Sequence, residues 1–302
     1  MAKCSVLARC KGASANVADE SERVFLRPSN AVVYCAIDSL ISVQARDLAG
    51  FSTFLESLTE AGIPCVWSTG RTRIQLDATI RKFGHGHPFL AEGGCGVYIP
   101  EDYFHLKPSS RTMRLGRFTC IPVATLLPAA AGALEDIAEE TGIAVVPLSA
   151  LTPRELSQNV GLPQKEAELL RQRDFDELFF FAGASDADIQ ILTEAAAKKK
   201  VAVRQREIFW SLSIGADVRK CVRELSTLFE RSMRNRPFNV ALGTLEESRE
   251  LFPACDRVIL LKGGPELEHA ESGSERRQAL ELELPSAGVW ERALEAIQTR
   301  KF

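Results

Sequence analysis

The 302-residue sequence has no Cys-x-x-Cys pair, no internal repeat and no surplus of basic residues. With 37 Lys and Arg against 40 Asp and Glu, the net charge is −3, which gives neither nucleic acid nor an anionic membrane surface a footprint. Long apolar runs are missing too. The longest weakly polar stretch, residues 121–134, is interrupted by Pro122 and Pro128 and is too short to span a bilayer. The opening residues lack the sustained apolar segment of a signal peptide, so a cytoplasmic chain is expected. Without paired spacing, the eight cysteines (4, 10, 35, 65, 95, 120, 221 and 255) do not read as a disulfide framework of a short secreted domain. Cys35 and Cys65 sit in strand-like apolar runs, where Cys behaves as a small hydrophobe. Buried free thiols are expected, with Cys4 and Cys10 exposed on a loose tail. The stretch "LLKGGPE" lacks the Gly-Lys-Ser/Thr ending of a phosphate loop.

What is present is alternation. Residues 1–29 are aperiodic and read as a flexible leader; from 30 onward, strand and helix signals take turns. A strand at 31–37 precedes a helix at 47–61 with Leu48, Phe51, Leu55 and Leu58 on one stripe, which "AGIP" ends with Gly and Pro in the usual order. "CVWS", the turn "TGRT" and a helix with Leu76, Ile80 and Phe83 follow, then "PFLAEGGCGVYIP". Pro-rich joints, short helices and "LFFFA" over 104–203 read as an inserted α+β cap. The alternation then resumes over 204–302, with the polar stretch 264–280 as surface loop and partial helix and a terminal helix from Ser286. The fold class expected is α/β: a doubly wound parallel sheet built from 30–103 and 204–302, with the cap between them. Such sheets bind ligands at the carboxyl ends of their strands, where Asp38, Thr69, Glu92 and Thr244 fall.

This order of elements resembles the haloacid-dehalogenase (HAD) superfamily, and within it the mannosyl-3-phosphoglycerate phosphatase family. The likeness rests on "AGIPCVWSTGRTR", "HPFLAEGGCGVYIP", "GLPQKEAELLRQRDFDE" and "FNVALG" followed by "CDRVILLK". It implies an aspartate nucleophile that also binds Mg²⁺, an acid/base aspartate two residues on, a Ser/Thr and a Lys on the phosphoryl oxygens, and further metal-binding acids after the fourth strand. A divalent ion wants several hard oxygen ligands, and the nucleophile must be a carboxylate within reach of phosphorus.

Carried onto this chain, the stations are mostly replaced. The nucleophile position is Ala36; the acid/base is kept as Asp38, followed by Ser39-Leu40; the Ser/Thr is Thr69. The lysine falls on Val218, leaving Asp217 and Lys220, and the metal acids fall on Gly243-Thr244 and Glu247-Ser248. The family's Gly-Gly-Arg sugar-acid stretch reads Arg206-Glu207-Ile208, and Glu92, Arg173 and Glu177 survive in type. Asp38 does not stand in for the nucleophile, because residues two apart on a strand are about 6.6 Å apart and a misplacement of about 1 Å can cost about a hundredfold. One metal contact from Glu246 or Glu247 would still leave too few carboxylates.

The resemblance therefore implies catalytic remnants at Asp38, Thr69 and Lys220, substrate contacts from Thr69, Gly70, Arg71, Glu92 and Arg173, and at most Asp38 and Glu247 for a metal. The expected function is non-catalytic binding of a phosphorylated sugar or sugar acid, or of a protein partner, with no cofactor. The alternative is a Mg²⁺-dependent sugar-phosphate phosphatase of the mannosyl-3-phosphoglycerate type. Elsewhere the plainer readings are preferred. His85 and His87 in "GHGHP" lack a third ligand and read as exposed loop residues. Trp210 reads as core. "KKKVAVRQR" reads as a solvated helix end running into a strand. "STGRT" is either an anion cradle at a helix start or a Thr N-cap with a solvated Arg71. "AEGG" is either a ligand-facing turn at Glu92 or a tight turn needing positive φ.

Overall fold

Residues 30–42, 45, 47–206, 208–263 and 279–302 are described by a computed structural model; the expected leader, with Cys4 and Cys10, lies outside them. The layering follows from strand β1 (Ala31–Ala36), buried throughout, whose side chains alternate between two apolar clusters. Ala31, Val33 and Cys35 face one cluster; Val32, Tyr34 and Ala36 face the other. A strand covered on both faces reads as one continuous apolar run, as this one does. The first face is covered by α1 (Leu48–Glu60) and α2 (Arg73–Phe83). The Asp47 carboxylate caps α1 by accepting the Gly50 N–H, and Thr72 caps α2 in a reciprocal box with Gln75.

Strands β2 (Cys65–Ser68), β3 (Phe89–Ala91), β4 (Gly96–Pro100), β5 (Met113–Leu115) and β6 (Phe118–Pro122) continue the same sheet. After α3 (Leu127–Thr141) the chain builds a second, antiparallel sheet of β7 (Val145–Pro147), β8 (Glu177–Phe181), β9 (Ala202–Arg206) and β10 (Phe209–Ser213). Helices α4 (Pro153–Val160) and α5 (Gln164–Arg171) separate β7 from β8, and α6 (Asp186–Lys198) separates β8 from β9. The chain then returns through α7 (Val218–Met233), β11 (Phe238–Gly243), the single turn α8 (Leu245–Ser248), β12 (Arg257–Lys262), β13 (Ala279–Glu283) and α9 (Val289–Thr299).

Among the described residues the large sheet runs β13-β12-β11-β1-β2-β3-β4-β6-β5, parallel from β13 to β3 and antiparallel beyond. The doubly wound parallel sheet expected from the alternation is the one observed. The expected breaks at 104 and 203 do not match the sheets. Residues 113–122 form a hairpin that pairs with β4 and extends the large sheet, while 204–213 pair inside the second one. Prolines mark irregular backbone whether or not the chain changes sheets, which is why they misplaced the boundary. Residues 264–278 lie outside the described part, and Ala279–Glu283 is an edge strand.

The six described cysteines are buried, as expected. Trp210 packs against the apolar cluster of the second sheet, with its ring 5.3 Å from that of Phe181. The histidines are a correction. His85 stacks on Trp67 with ring centroids 3.8 Å apart, and His87 Nδ1 lies 2.8 Å from the Tyr103 hydroxyl. Burial pushes the His85 ring down to about 3, so it is a neutral aromatic slab and not an exposed loop residue.

Trp290 on α9 fastens the first face. Its ring lies 5.5 Å from Phe51 and 5.1 Å from Phe54, and its indole N–H donates to the Asp47 cap at 2.7 Å. Trp290→Ala should therefore cost about 3–5 kcal/mol in denaturant unfolding followed by circular dichroism. Trp290→Phe should cost only about 1–2 kcal/mol, because the ring packing is largely kept and the hydrogen bond to Asp47 is lost.

Candidate functional site

The strand order reverses at β1, which has β11 on one side and β2 on the other, and this opens a crevice at the carboxyl ends of the strands. The turns after β2 and β3 are laced together there. Gly93 N–H donates to the Thr69 carbonyl at 3.0 Å and Glu92 N–H to the Arg71 carbonyl at 3.1 Å. Asp38, just past β1, is seated against the first turn. Its Oδ1 accepts the Thr69 hydroxyl, its Oδ2 accepts the Gly70 N–H at 2.7 Å, and Arg71 Nε lies 3.4 Å from Oδ1. Thr69 is buried, whereas the Asp38 and Arg71 side chains are 32% and 36% exposed at the crevice mouth. The cluster of Asp38, Thr69, Gly70 and Arg71 expected from the sequence is thus assembled. Thr72, next along, is the N-cap of α2.

Sequence reasoning missed Arg206. Read as part of a solvated face, it reaches from the end of β9 over the glycines of both turns. Its Nη1 lies 3.5 Å from where a Cβ on Gly70 would stand, and its Nη2 only 1.9 Å from a Cβ on Gly93. Gly93 has φ 64°, so glycine is needed there both for the turn and for the guanidinium's approach. Nε donates to Ser211 Oγ at 3.3 Å; among the described residues no side chain pairs with the terminal nitrogens. Burial lowers the Arg206 pKa, an effect that the nearby Asp176 and Asp38 charges oppose. The signal available in the sequence was the "RQR" alternation, which puts Arg204 and Arg206 on one side of a strand.

The floor of the crevice is apolar. Ala36 is 2% exposed and belongs to the same cluster as Val218. A Cβ on Gly243 would lie 2.8 Å from Ala36 Cβ and 2.2 Å from Ser248 Oγ. Ser248 is fully buried and its hydroxyl has no partner among the described residues. Lys220 stands exposed in the first turn of α7, its N–H bonded to the Asp217 carboxylate at 2.9 Å. It forms no ion pair among the described residues and is not part of the Asp38 cluster. Glu246 is exposed, and the side chain of Glu247 lies outside the described residues.

Two expected ligand contacts are structural. Glu92 is 1% exposed and has φ 52°, so of the two readings of "AEGG" the tight turn holds. Its carboxyl accepts the N–H groups of Asp174, Phe175 and Asp176 at 2.9, 2.9 and 3.2 Å. Arg173 is also buried; it pairs with Asp176 at 2.5 Å and donates to the Gly70 carbonyl at 3.0 Å. Neither faces the crevice, because both are used to fasten the segment before β8 to the large sheet. Glu177, likewise buried, accepts the Ser149 N–H at 3.1 Å within the second sheet's own packing.

No family model matches the chain. Its sequence is similar to a glucosyl-3-phosphoglycerate/mannosyl-3-phosphoglycerate phosphatase of Methanococcoides burtonii, 26% identical over 208 residues that span 69% of this chain and 75% of that protein. It is also similar to a mannosyl-3-phosphoglycerate phosphatase of Pyrococcus furiosus, 22% identical over 218 residues, or 72% and 85% of the two chains. Among solved structures, a HAD phosphatase of Bacteroides thetaiotaomicron superposes with a TM-score of 0.58 at 15% identity, covering 92% of this chain and 99% of that one. The sucrose-phosphatase of Synechocystis, solved with sucrose and phosphate, gives 0.57 at 15% identity over 89% and 98%. The chain has the HAD-like fold of these structures, and its sequence resembles the mannosyl-3-phosphoglycerate phosphatases.

HAD phosphatases usually use Mg²⁺. Mg²⁺ requires six oxygens in near-octahedral array, some from carboxylates. Here Asp38 is held by a hydroxyl, an N–H and a guanidinium; Ala36 offers no side-chain oxygen, and residue 244 is a threonine, which carries no carboxylate. Among the described residues no three of His, Cys, Asp and Glu are grouped to hold a metal. The described residues do not fit the ion. In addition, no helix among them is long and apolar enough to cross a membrane.

The Glu92 fastening is open to a pH test. Burial, countered by Arg173 and reinforced by Asp176, raises its carboxyl pKa from 4.5 to about 8. A carboxyl that holds its proton more tightly when folded stabilises fully below the unfolded value and loses that contribution as pH rises through the folded one. Wild-type stability should therefore fall between about pH 4.5 and about pH 8 through this group. Glu92→Gln, whose amide nitrogen opposes backbone N–H groups, should be less stable at every pH but should lack that part of the slope. Urea unfolding at a series of pH values checks this; an unchanged slope in the variant would exclude it.

Proposed function

We propose that this HAD-type protein binds a phosphorylated sugar or sugar acid in the crevice without metal and does not hydrolyse it. The observation that carries the reading is the crevice's balance of charge. Two guanidinium groups, Arg71 and Arg206, line it against one carboxylate, Asp38, while the nucleophile position is an alanine inside an apolar cluster. Anion recognition needs donors and positive charge, and charge-assisted hydrogen bonds are the strong ones. The aspartyl-phosphate route needs a carboxylate aimed at phosphorus and a counter-charge for the developing oxyanion. Replacement of the nucleophile by Ala36 and of the lysine by Val218 removes both. Without a nucleophilic carboxylate, the floor also repels a phosphate dianion less.

The second reading is a Mg²⁺-dependent phosphatase, and the 26% identity over 208 residues to a phosphatase supports it. One set of measurements separates the two. A sugar-phosphate panel with and without Mg²⁺ should show no phosphate release above buffer. Magnesium at 1 mM should leave the melting temperature unchanged, whereas a site of about 10 μM affinity would add about 2.7 kcal/mol. Ala36→Asp alone should restore nothing and should destabilise, because its carboxylate would enter an apolar cluster without a lysine partner. In calorimetric titrations, Arg71→Ala combined with Arg206→Ala should cost about 2–4 kcal/mol of sugar-phosphate binding. Metal-dependent turnover would establish the phosphatase reading. No binding anywhere on the panel would leave a protein partner as the occupant.

A further inference from the structure

We infer that Asp38 is a built-in competitor for the anion site and so sets its specificity: the crevice admits dianionic phosphate monoesters and turns away monoanionic carboxylates. The inference rests on the proposed reading of the crevice as an anion site and adds which anions it takes. The donors that a bound oxyanion would use are the Thr69 hydroxyl and the Gly70 N–H, and both are already given to the two oxygens of Asp38. The same carboxylate faces Arg71 and lies within the field of Arg206. It is therefore seated as a ligand carboxylate would be.

It is not locked in. The Asp38 side chain is 32% exposed, at a mouth open to water, so it is free to leave its seat without a buried charge being stranded. The competition is set by tethering. A group attached to the same chain acts at an effective concentration in the millimolar range or above. A free monoanionic carboxylate brings the same chemistry as Asp38 without the tether, and loses. A phosphate monoester brings a second negative charge and a third oxygen, enough to engage Arg71 and Arg206 together through charge-assisted bonds. The Arg206 position is fixed independently of Asp38, since its guanidinium rests on Gly70 and Gly93, where a Cβ on Gly93 would overlap Nη2. Apparent affinity falls by the fraction of molecules whose site is open. If Asp38 occupies its seat nine-tenths of the time, that factor is about ten.

The test uses two probes of matched skeleton, glycerol 3-phosphate and glycerate, titrated calorimetrically into the full chain and into Asp38→Asn and Asp38→Ala. The wild type should bind glycerol 3-phosphate weakly and glycerate undetectably. Both variants should bind glycerol 3-phosphate about tenfold more tightly and should begin to bind glycerate. Asp38→Asn keeps the shape of the side chain but removes its negative charge, which weakens its hold on Arg71 and on the two donors, so it serves if the alanine variant fails to fold. Circular dichroism and melting temperature confirm the fold of each. Binding by the variants alone would overturn the inference as stated, since the wild-type crevice would then be closed by its own acid to phosphate monoesters as well as to carboxylates. If the wild type binds and the variants bind equally or more weakly, Asp38 is a contact and the inference is overturned while the anion reading stands. If no form binds either probe, both fall.

Discussion

The two sheets are fastened to each other at a junction centred on one carboxyl group. Glu92 leaves the end of β3 in a left-handed backbone conformation and accepts three successive N–H groups of residues 174–176, just before β8. Around that contact, Arg173 reaches back to the Gly70 carbonyl, and Asp174 receives Arg73 and the Tyr98 hydroxyl from the large sheet. Unmet, these buried polar groups would each cost about 1–3 kcal/mol, so the junction is fixed as a unit. Because it is fixed, β9 and β10 are presented at a set height over the crevice, and Arg206 comes down on the turns after β2 and β3.

Gly94 closes the other side of the junction. At φ 86°, a Cβ there would meet Val218 within 3.0 Å, and its carbonyl accepts the Asp217 N–H and the Cys221 thiol. The start of α7 is thereby pressed onto the turn after β3. Where the resembling family carries a lysine, this chain puts a valine in an apolar cluster that also contains Ala36. The two replacements are physically coherent. A buried lysine without its aspartate, or an aspartate without its lysine, would be an uncompensated charge costing about 3–5 kcal/mol. With an alanine and a valine at these two positions the contact is apolar, and the positive charge beside it comes from Arg71 and Arg206.

Much of this was legible in the residues. The period of the apolar positions gave the elements, and their alternation gave a parallel doubly wound sheet with its crevice at the carboxyl ends of the strands. That Asp38 and Thr69 stand at strand ends followed from local order; that they meet in one hydrogen bond came from the structure. The assignments that failed were those that depended on which strand pairs with which. The 113–122 hairpin stays in the large sheet and the 204–213 hairpin in the second one, with no change of composition to mark either, so prolines could not mark the boundary.

The sequence by itself determined the elements, their alternation and the residue types at the carboxyl ends of the strands, because these depend on side-chain period and residue identity. Only the tertiary structure decided the direction in which charged side chains act. Glu92 and Arg173, read as ligand contacts, are turned into the junction, while Arg206, read as a solvated face, is turned into the crevice. The physical reason is that a charged residue's role is set by what is packed around it, and its partners here lie about 80 to 140 positions away along the chain.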